Sequence, residues 1–196
     1  FRFYMKYVLK YEALELDYID KFNLEKGNFY HLVLEYFFKE ENYLNLSFEE
    51  IKTLIEKSID RAIIELELKE ISILQKDLVT RILTNYAVAD INRQKSYYQV
   101  FKPTYFERFF SRFINNIEVK GRIDRIDLSQ DNLAVITDYK SKNTPAKKDV
   151  FDLKDLQLPL YALLYGKENI MSLSYGNIEE STVSNHIFNI DLIKKT

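Results

Sequence analysis

Gly121-Arg122-Ile123-Asp124-Arg125-Ile126-Asp127, followed after a short gap by Val135-Ile136-Thr137-Asp138-Tyr139-Lys140, is the stretch that decides the fold. In both runs β-branched residues alternate with polar ones, the pattern of a half-buried strand. Between them Ser129-Gln130-Asp131-Asn132 is a turn-forming cluster. The simplest arrangement is an antiparallel hairpin. Folded about that turn, Asp124 lands opposite Asp138 to within one residue of register. Directly opposed Cβ atoms lie roughly 5 Å apart, so two carboxylates converge on one spot. Asp138 and Lys140 are two residues apart on their strand and share a face. Two acids and a lysine on one sheet face are costly to bury unless something divalent binds there.

The surrounding composition bounds the reading. A length of 196 residues suits one domain, or one domain with a helical annex. Hydrophobic residues make up 46% and charged residues 30%, the balance of an ordinary globular chain. No run of about 18 uninterrupted apolar residues exists, so no membrane span is expected. No signal peptide is visible, and a cytoplasmic location is expected. Cysteine is absent, which excludes disulfides and thiolate metal sites within these residues. The chain opens on Phe1 rather than Met, as expected of a piece of a longer protein. A net charge of −2 argues mildly against a protein that coats nucleic acid, but not against one that grips it locally. Lys140, Lys142, Lys147, Lys148 and Lys154 face only Asp149 and Asp152 in the same stretch. They read either as a solvated loop or as phosphate contacts beside the acidic pair.

Upstream, residues 1–14 are aromatic-rich with helical spacing, which predicts core packing. Gly27-Asn28 predicts a helix start, with Asn28 as N-cap, His31 in the first turn and the helix running to about 39. Ser47-Phe48-Glu49-Glu50 is a capping box that opens a helix over about 48–70. A second helical run follows over about 75–95. Neither carries evident chemistry, and residues 41–100 read as a helical insertion. Residues 104–114 are ambiguous, with aromatic and β-branched content favouring a strand. Asp127 falls on the opposite strand face from Asp124, two residues from Arg125, so an ion pair between them is the default.

Downstream, a helix is predicted over about 152–166. Gln157 and Tyr161, four residues apart, lie on one side of it. Pro159 requires that this helix bend or begin near Leu158. Residues 170–175 and 184–190 read as two closing strands, with Gly176-Asn177 near their turn. His186 alternates into the second strand and receives no role.

Asp124 followed by Asp138-Tyr139-Lys140 resembles the signature of the PD-(D/E)XK nuclease superfamily. The likeness is closest to the RecB/AddB-type branch, in which a Gly-x-Ile-Asp strand precedes an Asp-Tyr-Lys strand. Gly27-Asn28-Phe29-Tyr30-His31 resembles that branch's Gly-x-x-x-His helix start. Gln157-Leu158-Pro159-Leu160-Tyr161 resembles its Gln-x-x-x-Tyr helix. The four elements occur in order over 27–161, most of the chain. Some members of the branch carry an iron–sulfur cluster on cysteines, and the resemblance here is to those without it.

The resemblance implies one α/β nuclease domain over 1–196. Its restriction-endonuclease-like core would be a mixed sheet of four or five strands flanked by helices, with the helical insertion. It implies a metal-dependent DNA nuclease. Asp124 and Asp138 would hold Mg²⁺ or Mn²⁺, with His31 and the Tyr139 carbonyl completing the shell. Lys140 would orient the attacking water, and Gln157 and Tyr161 would contact DNA or support the metal shell. In the family a Glu lies on the first sheet strand, and Glu107 is the candidate; an ion pair with Arg108 or Arg112 is its alternative. The implied partners are single-stranded or frayed DNA and a helicase, either fused upstream or bound as a subunit. A nuclease fold that guides DNA in a repair complex without cutting it is the competing reading.

Overall fold

The hairpin forms at the register its pattern requires. In the computed structural model, which describes residues 16–68, 71–97, 100–166 and 169–186, strand β2 (Ile117–Leu128) pairs antiparallel with β3 (Ala134–Lys140), Arg125 opposite Thr137 and Leu128 opposite Ala134. Ser129 builds the turn: its backbone N–H donates to the Leu133 carbonyl at 2.9 Å, and its hydroxyl accepts from the Leu133 N–H at 3.1 Å. Asn132 sits at φ +59°, a left-handed value that Asn tolerates.

The sheet has five strands in the order β1-β2-β3-β4-β5. β1 (Lys102–Ile114) pairs antiparallel with β2, β3 pairs parallel with β4 (Ile170–Asn177), and β4 pairs antiparallel with β5 (Thr182–His186). The aromatic run that was ambiguous in sequence is therefore the first strand. The parallel β3–β4 step needs a crossover, and α4 (Lys147–Phe151) and α5 (Gln157–Tyr165) supply it. Ahead of the sheet come α1 (Leu16–Phe38), a 3₁₀ turn at Tyr43–Asn45, α2 (Phe48–Glu65) and α3 (Ile73–Lys95). The result is a mixed α/β sheet flanked by helices. No described helix is long and apolar enough to cross a membrane.

Several boundaries depart from the sequence reading. No helix begins at Gly27-Asn28; both lie inside α1, which starts at Leu16. Local capping preference at Asn28 loses to an apolar face, Phe29, Tyr30, Val33, Leu34 and Phe37, that the core covers fully. α2 does open on its capping box, with the Ser47 N–H donating to Glu50 Oε2 at 2.8 Å. It ends at Glu65, ahead of a left-handed Glu67. α3 starts earlier than expected because Ser72 and Gln75 form a second capping box. The helix expected over about 152–166 is the shorter α5, which begins at Gln157, next to Leu158 where one of the two alternatives put its start, and the short α4 before it was not expected. Pro159 is the third residue of α5, where its missing N–H costs no helical bond. Gly176-Asn177 close β4 just ahead of its turn to β5, as expected. At Gly176 a Cβ would sit 2.1 Å from the Tyr86 hydroxyl, so α3 is what requires glycine there. The segment 1–14, and the part of the last strand beyond 186, lie outside the described residues.

One apolar cluster fills the space between α1, α2, α3 and one sheet face, including Phe29, Ile55, Leu83, Tyr86 and Tyr139. A second lies under α4 and α5 on the other face, built on Ile126, Ile136, Leu158 and Leu173. Within the first, α3 drives charge into the core. Arg125 is fully buried and donates from Nε and Nη2 to the two Asp127 oxygens, at 2.6 Å each. Its Nη1 donates to Asp90 of α3 at 2.7 Å and to the Tyr139 hydroxyl at 3.0 Å. Arg93 closes the far side of Asp90 at 2.6 Å. The Arg125–Asp127 pair was expected; its α3 partners were not.

Burial works to raise the Asp90 carboxyl, but the Arg125 and Arg93 guanidiniums override it and hold it below its ordinary value. A depressed carboxyl stabilises the fold above the unfolded pKa near 4 and ceases to do so as pH falls through the folded value. Asp90→Ala should destabilise the chain by about 3–5 kcal/mol, since two guanidiniums lose their buried partner. Denaturant unfolding at neutral pH checks this; a loss below about 1 kcal/mol, the scale of an exposed ion pair, would mean the network is solvated.

Candidate active site

The backbone pairing of β2 with β3 stops at Arg125 and Thr137, one residue short of Asp124 and Asp138. There the side chain of Asp124 replaces the ladder: its Oδ2 accepts the Tyr139 N–H at 2.8 Å. A carboxylate inserted between two strands holds them apart and leaves Asp124 and Asp138 at the fork. Both are almost completely buried.

On one side of the fork is β1. The pairs Phe106–Arg125 and Arg108–Ile123 flank Glu107, which places Glu107 across from Asp124. Glu107 has φ +45°, a left-handed backbone inside a strand. Such a conformation costs on the order of 1 kcal/mol or more for a residue other than glycine and persists where the surroundings enforce it. Here they do. Glu107 Oε1 lies 2.8 Å from His31 Nδ1, and Oε2 lies 2.8 Å from Arg122 Nε. The cation paired with Glu107 is thus Arg122 of β2, not Arg108 or Arg112. His31 comes from α1, and its ring meets Tyr139 edge-on with centroids 5.3 Å apart. Its Nδ1 is 3.8 Å from Asp124 Oδ2.

On the other side is α5. Gln157 Nε2 donates to Asp138 Oδ1 at 2.5 Å and to the Tyr161 hydroxyl at 3.1 Å, while its Oε1 accepts from Lys140 Nζ at 2.5 Å. Lys140 Nζ also forms an ion pair with Asp138 Oδ2 at 3.0 Å. Four of the sequence-selected residues, Asp138, Lys140, Gln157 and Tyr161, are therefore one connected group.

Ligand atoms of His31, Glu107 and Asp124 all lie within 4.8 Å of one another. One imidazole and two carboxylates are a donor set suited to a hard or borderline divalent cation. A second observation fits: apart from its ion pair with Lys140, buried Asp138 Oδ2 accepts no hydrogen bond among the described residues. His31 and Asp124 are brought together, Glu107 joins them, and Asp138 faces Lys140 and Gln157. Tyr139 gives its N–H to Asp124, and its ring is held between His31 and Tyr86. The β1–β2 register was the signal that could have promoted Glu107. Among the other lysines near the site, Lys142 pairs with Glu179 at 3.1 Å and Lys154 with Asp152 at 3.8 Å.

Burial pushes the Asp124 carboxyl up to about 7, eased by His31 and reinforced by the charge of Asp138. Burial also raises Asp138, against the pull of Lys140. For His31, burial acts downward, but the Glu107 hydrogen bond and the Asp124 charge lift it above its ordinary value. All three shifts have one sign. The folded chain binds more protons than the unfolded chain from about pH 4 upward, through the folded values of these groups, so stability falls as pH rises. In chelator, the melting temperature should be higher near pH 5.5 than near pH 8, and Asp124→Asn should shrink that difference. A melting temperature that climbs across this window would show that the three groups are not crowded.

With this geometry, similarity to other proteins is informative. An ATP-dependent helicase/deoxyribonuclease subunit of Lachnoclostridium phytofermentans is 28% identical over 182 residues, which is 84% of this chain and 15% of that protein. An uncharacterised protein of Rickettsia typhi is 28% identical over 107 residues, 55% of this chain and 12% of that protein. The chain spans only this small share of either relative. A profile of the PD-(D/E)XK nuclease superfamily matches residues 1–190. That match covers every strand and helix described above, and the chain belongs to the PD-(D/E)XK nuclease superfamily.

Proposed function

We propose that this chain is the nuclease module of a larger DNA-processing protein and hydrolyses DNA phosphodiesters with Mg²⁺ or Mn²⁺. The observation that carries the reading is the His31–Glu107–Asp124 cluster beside the Asp138–Lys140–Gln157 group. His31, Glu107 and Asp124 would hold the cation, and Asp138 Oδ2 is the further oxygen able to join them. When bound there, a divalent ion would offset charge on the scissile phosphate and promote ionisation of water.

The chain's own groups do the rest. Gln157 and Asp138 fix the Lys140 ammonium from two directions, so it need not reorganise when negative charge develops near it. Lys140 is the cation that would orient the attacking water and stabilise the phosphate oxygens. Tyr161 steadies Gln157 through the amide nitrogen, and Arg122 steadies Glu107. Partial burial keeps water sparse and strengthens each of these interactions. The helicase/deoxyribonuclease relative supports a setting in which an unwound strand is delivered to this module, by a fused domain or a partner protein. Single-stranded or frayed DNA is the substrate this setting favours.

The test is cleavage of single-stranded and frayed DNA with Mg²⁺ or Mn²⁺ against chelator. Lys140→Ala and Asp138→Asn should each lose at least about 10²-fold in rate, the scale of one electrostatic stabiliser, while remaining folded. Variants as active as the wild type would sink the reading, as would cleavage that survives chelation.

The ligand set has its own test. By calorimetric titration with Mn²⁺, Glu107→Gln and His31→Ala should each weaken binding by at least about tenfold, the effect expected for losing a ligand or its close support. An unchanged affinity for Glu107→Gln would restrict that residue to its ion pair with Arg122.

A further inference from the structure

Beyond the fork, β1 and β2 continue as a two-stranded ribbon that no other strand among the described residues joins. β3 pairs β2 only from Arg125 onward, whereas β1 and β2 stay paired out to Ile114 and Ile117. An isolated hairpin is marginal in water, so such a ribbon needs one covered face. α5 covers it: the Phe110 ring meets Tyr165 at 6.2 Å, and a Cβ at Gly121 would sit 2.7 Å from a Leu164 methyl. On the opposite face no described element packs over the rings of Phe109 and Phe113. Phe109 is 61% exposed and Phe113 70%, which is unusual for phenylalanine.

That face is not simply apolar. Strand alternation puts Glu107, Phe109, Ser111 and Phe113 on one side of β1, and across from the last three lie Arg122, Lys120 and Glu118. Arg122 and Lys120 have 60% and 55% of their side chains exposed. The ribbon's other two cations, Arg108 and Arg112, lie on its α5 side, while on the exposed face Arg122 pairs with Glu107 at 2.8 Å and Lys120 with Glu118 at 3.0 Å. Two rings four residues apart on a strand are about 13 Å apart, with a cation beside the first and another between them. The row leads straight to Glu107 of the proposed metal site. Aromatic rings interleaved with cations along a track are what a flexible polyanion with stackable faces requires.

We propose that the exposed face of the β1–β2 ribbon is a platform for single-stranded nucleic acid. Bases stack on Phe109 and Phe113, Arg122 and Lys120 meet the phosphates, and the strand runs toward Glu107. A duplex, with its bases already stacked on one another, cannot use the rings. The identity of this ligand rests on the nuclease reading; the row of exposed rings and cations does not.

The 196-residue chain in chelator, where no metal-dependent cutting occurs, is titrated with a short oligodeoxythymidine carrying one 2-aminopurine. Phe109→Leu and Phe113→Leu keep apolar bulk but remove the ring. Each should weaken single-strand affinity about tenfold, the scale of one lost base stack, and reduce 2-aminopurine quenching. Phe109→Trp and Phe113→Trp should restore both. Leu74→Ser, which alters an 81% exposed leucine on α3, should leave affinity unchanged. Unchanged affinity in the Leu variants would overturn the proposal, as would an equal loss for blunt duplex. A concentration-dependent dimer that the Leu variants dissolve would also overturn it, by showing that the face receives a second copy of the chain. Wild-type hydrolysis of a small chromogenic phosphodiester with Mn²⁺ tests the centre separately. Ring-dependent binding without hydrolysis upholds the ribbon and overturns the nuclease reading. Hydrolysis with ring-independent binding does the reverse.

Discussion

A guanidinium with no access to water, Arg125, is the interaction on which the remaining architecture leans. Its bidentate pair with Asp127 lies along one strand, and its third contact reaches Asp90 on α3. Removing any one partner would strand a charge in the core, so the helix and the sheet are obliged to meet in one arrangement. The consequence extends to the fork. Arg125 also donates to the Tyr139 hydroxyl, and the Tyr139 ring braces His31. A helix with no catalytic group of its own thereby limits where the imidazole can lie.

The fork is the second organising feature. A strand pair that continued regularly would have satisfied its own backbone and left two aspartates side by side at full electrostatic cost. Instead Asp124 takes the Tyr139 N–H, the strands separate, and the space is lined from both sides. From β1 and α1 come Glu107 and His31; from α5 come Gln157 and Tyr161. The two sheet faces, each with its own apolar cluster, converge in one place where polar groups outnumber apolar ones.

Much of this was legible in sequence because it depends on short-range periodicity. Alternation placed Asp124 opposite Asp138, and the two-residue spacing joined Lys140 to Asp138. The four-residue spacing of Gln157 and Tyr161 survives as a direct hydrogen bond. What escaped depends on long-range pairing. Glu107 was named from the resemblance, but its ion pair was sought at Arg108 or Arg112, and only the β1–β2 register brings it to Arg122 and Asp124. Asp90 and Arg93 received no role, because nothing nearby in sequence announces a buried arginine thirty-five residues after Asp90. Gly27-Asn28 misled in the other direction. A local helix-start preference was real but weaker than the continuous apolar face that carries α1 through it.

The left-handed backbone at Glu107 has a further consequence for how this site can drift. Glycine, or at lower cost asparagine, would relax that position, and both lack the glutamate's reach. With Glu107 in its proposed role as a metal ligand, random substitution at 107 offers the chain a more comfortable fold in exchange for a weaker centre. Selection for robustness alone would empty the position of its carboxylate, and only selection for chemistry would keep it. A relative of this chain with glycine or asparagine here would be read as one that had kept the scaffold and relinquished the reaction.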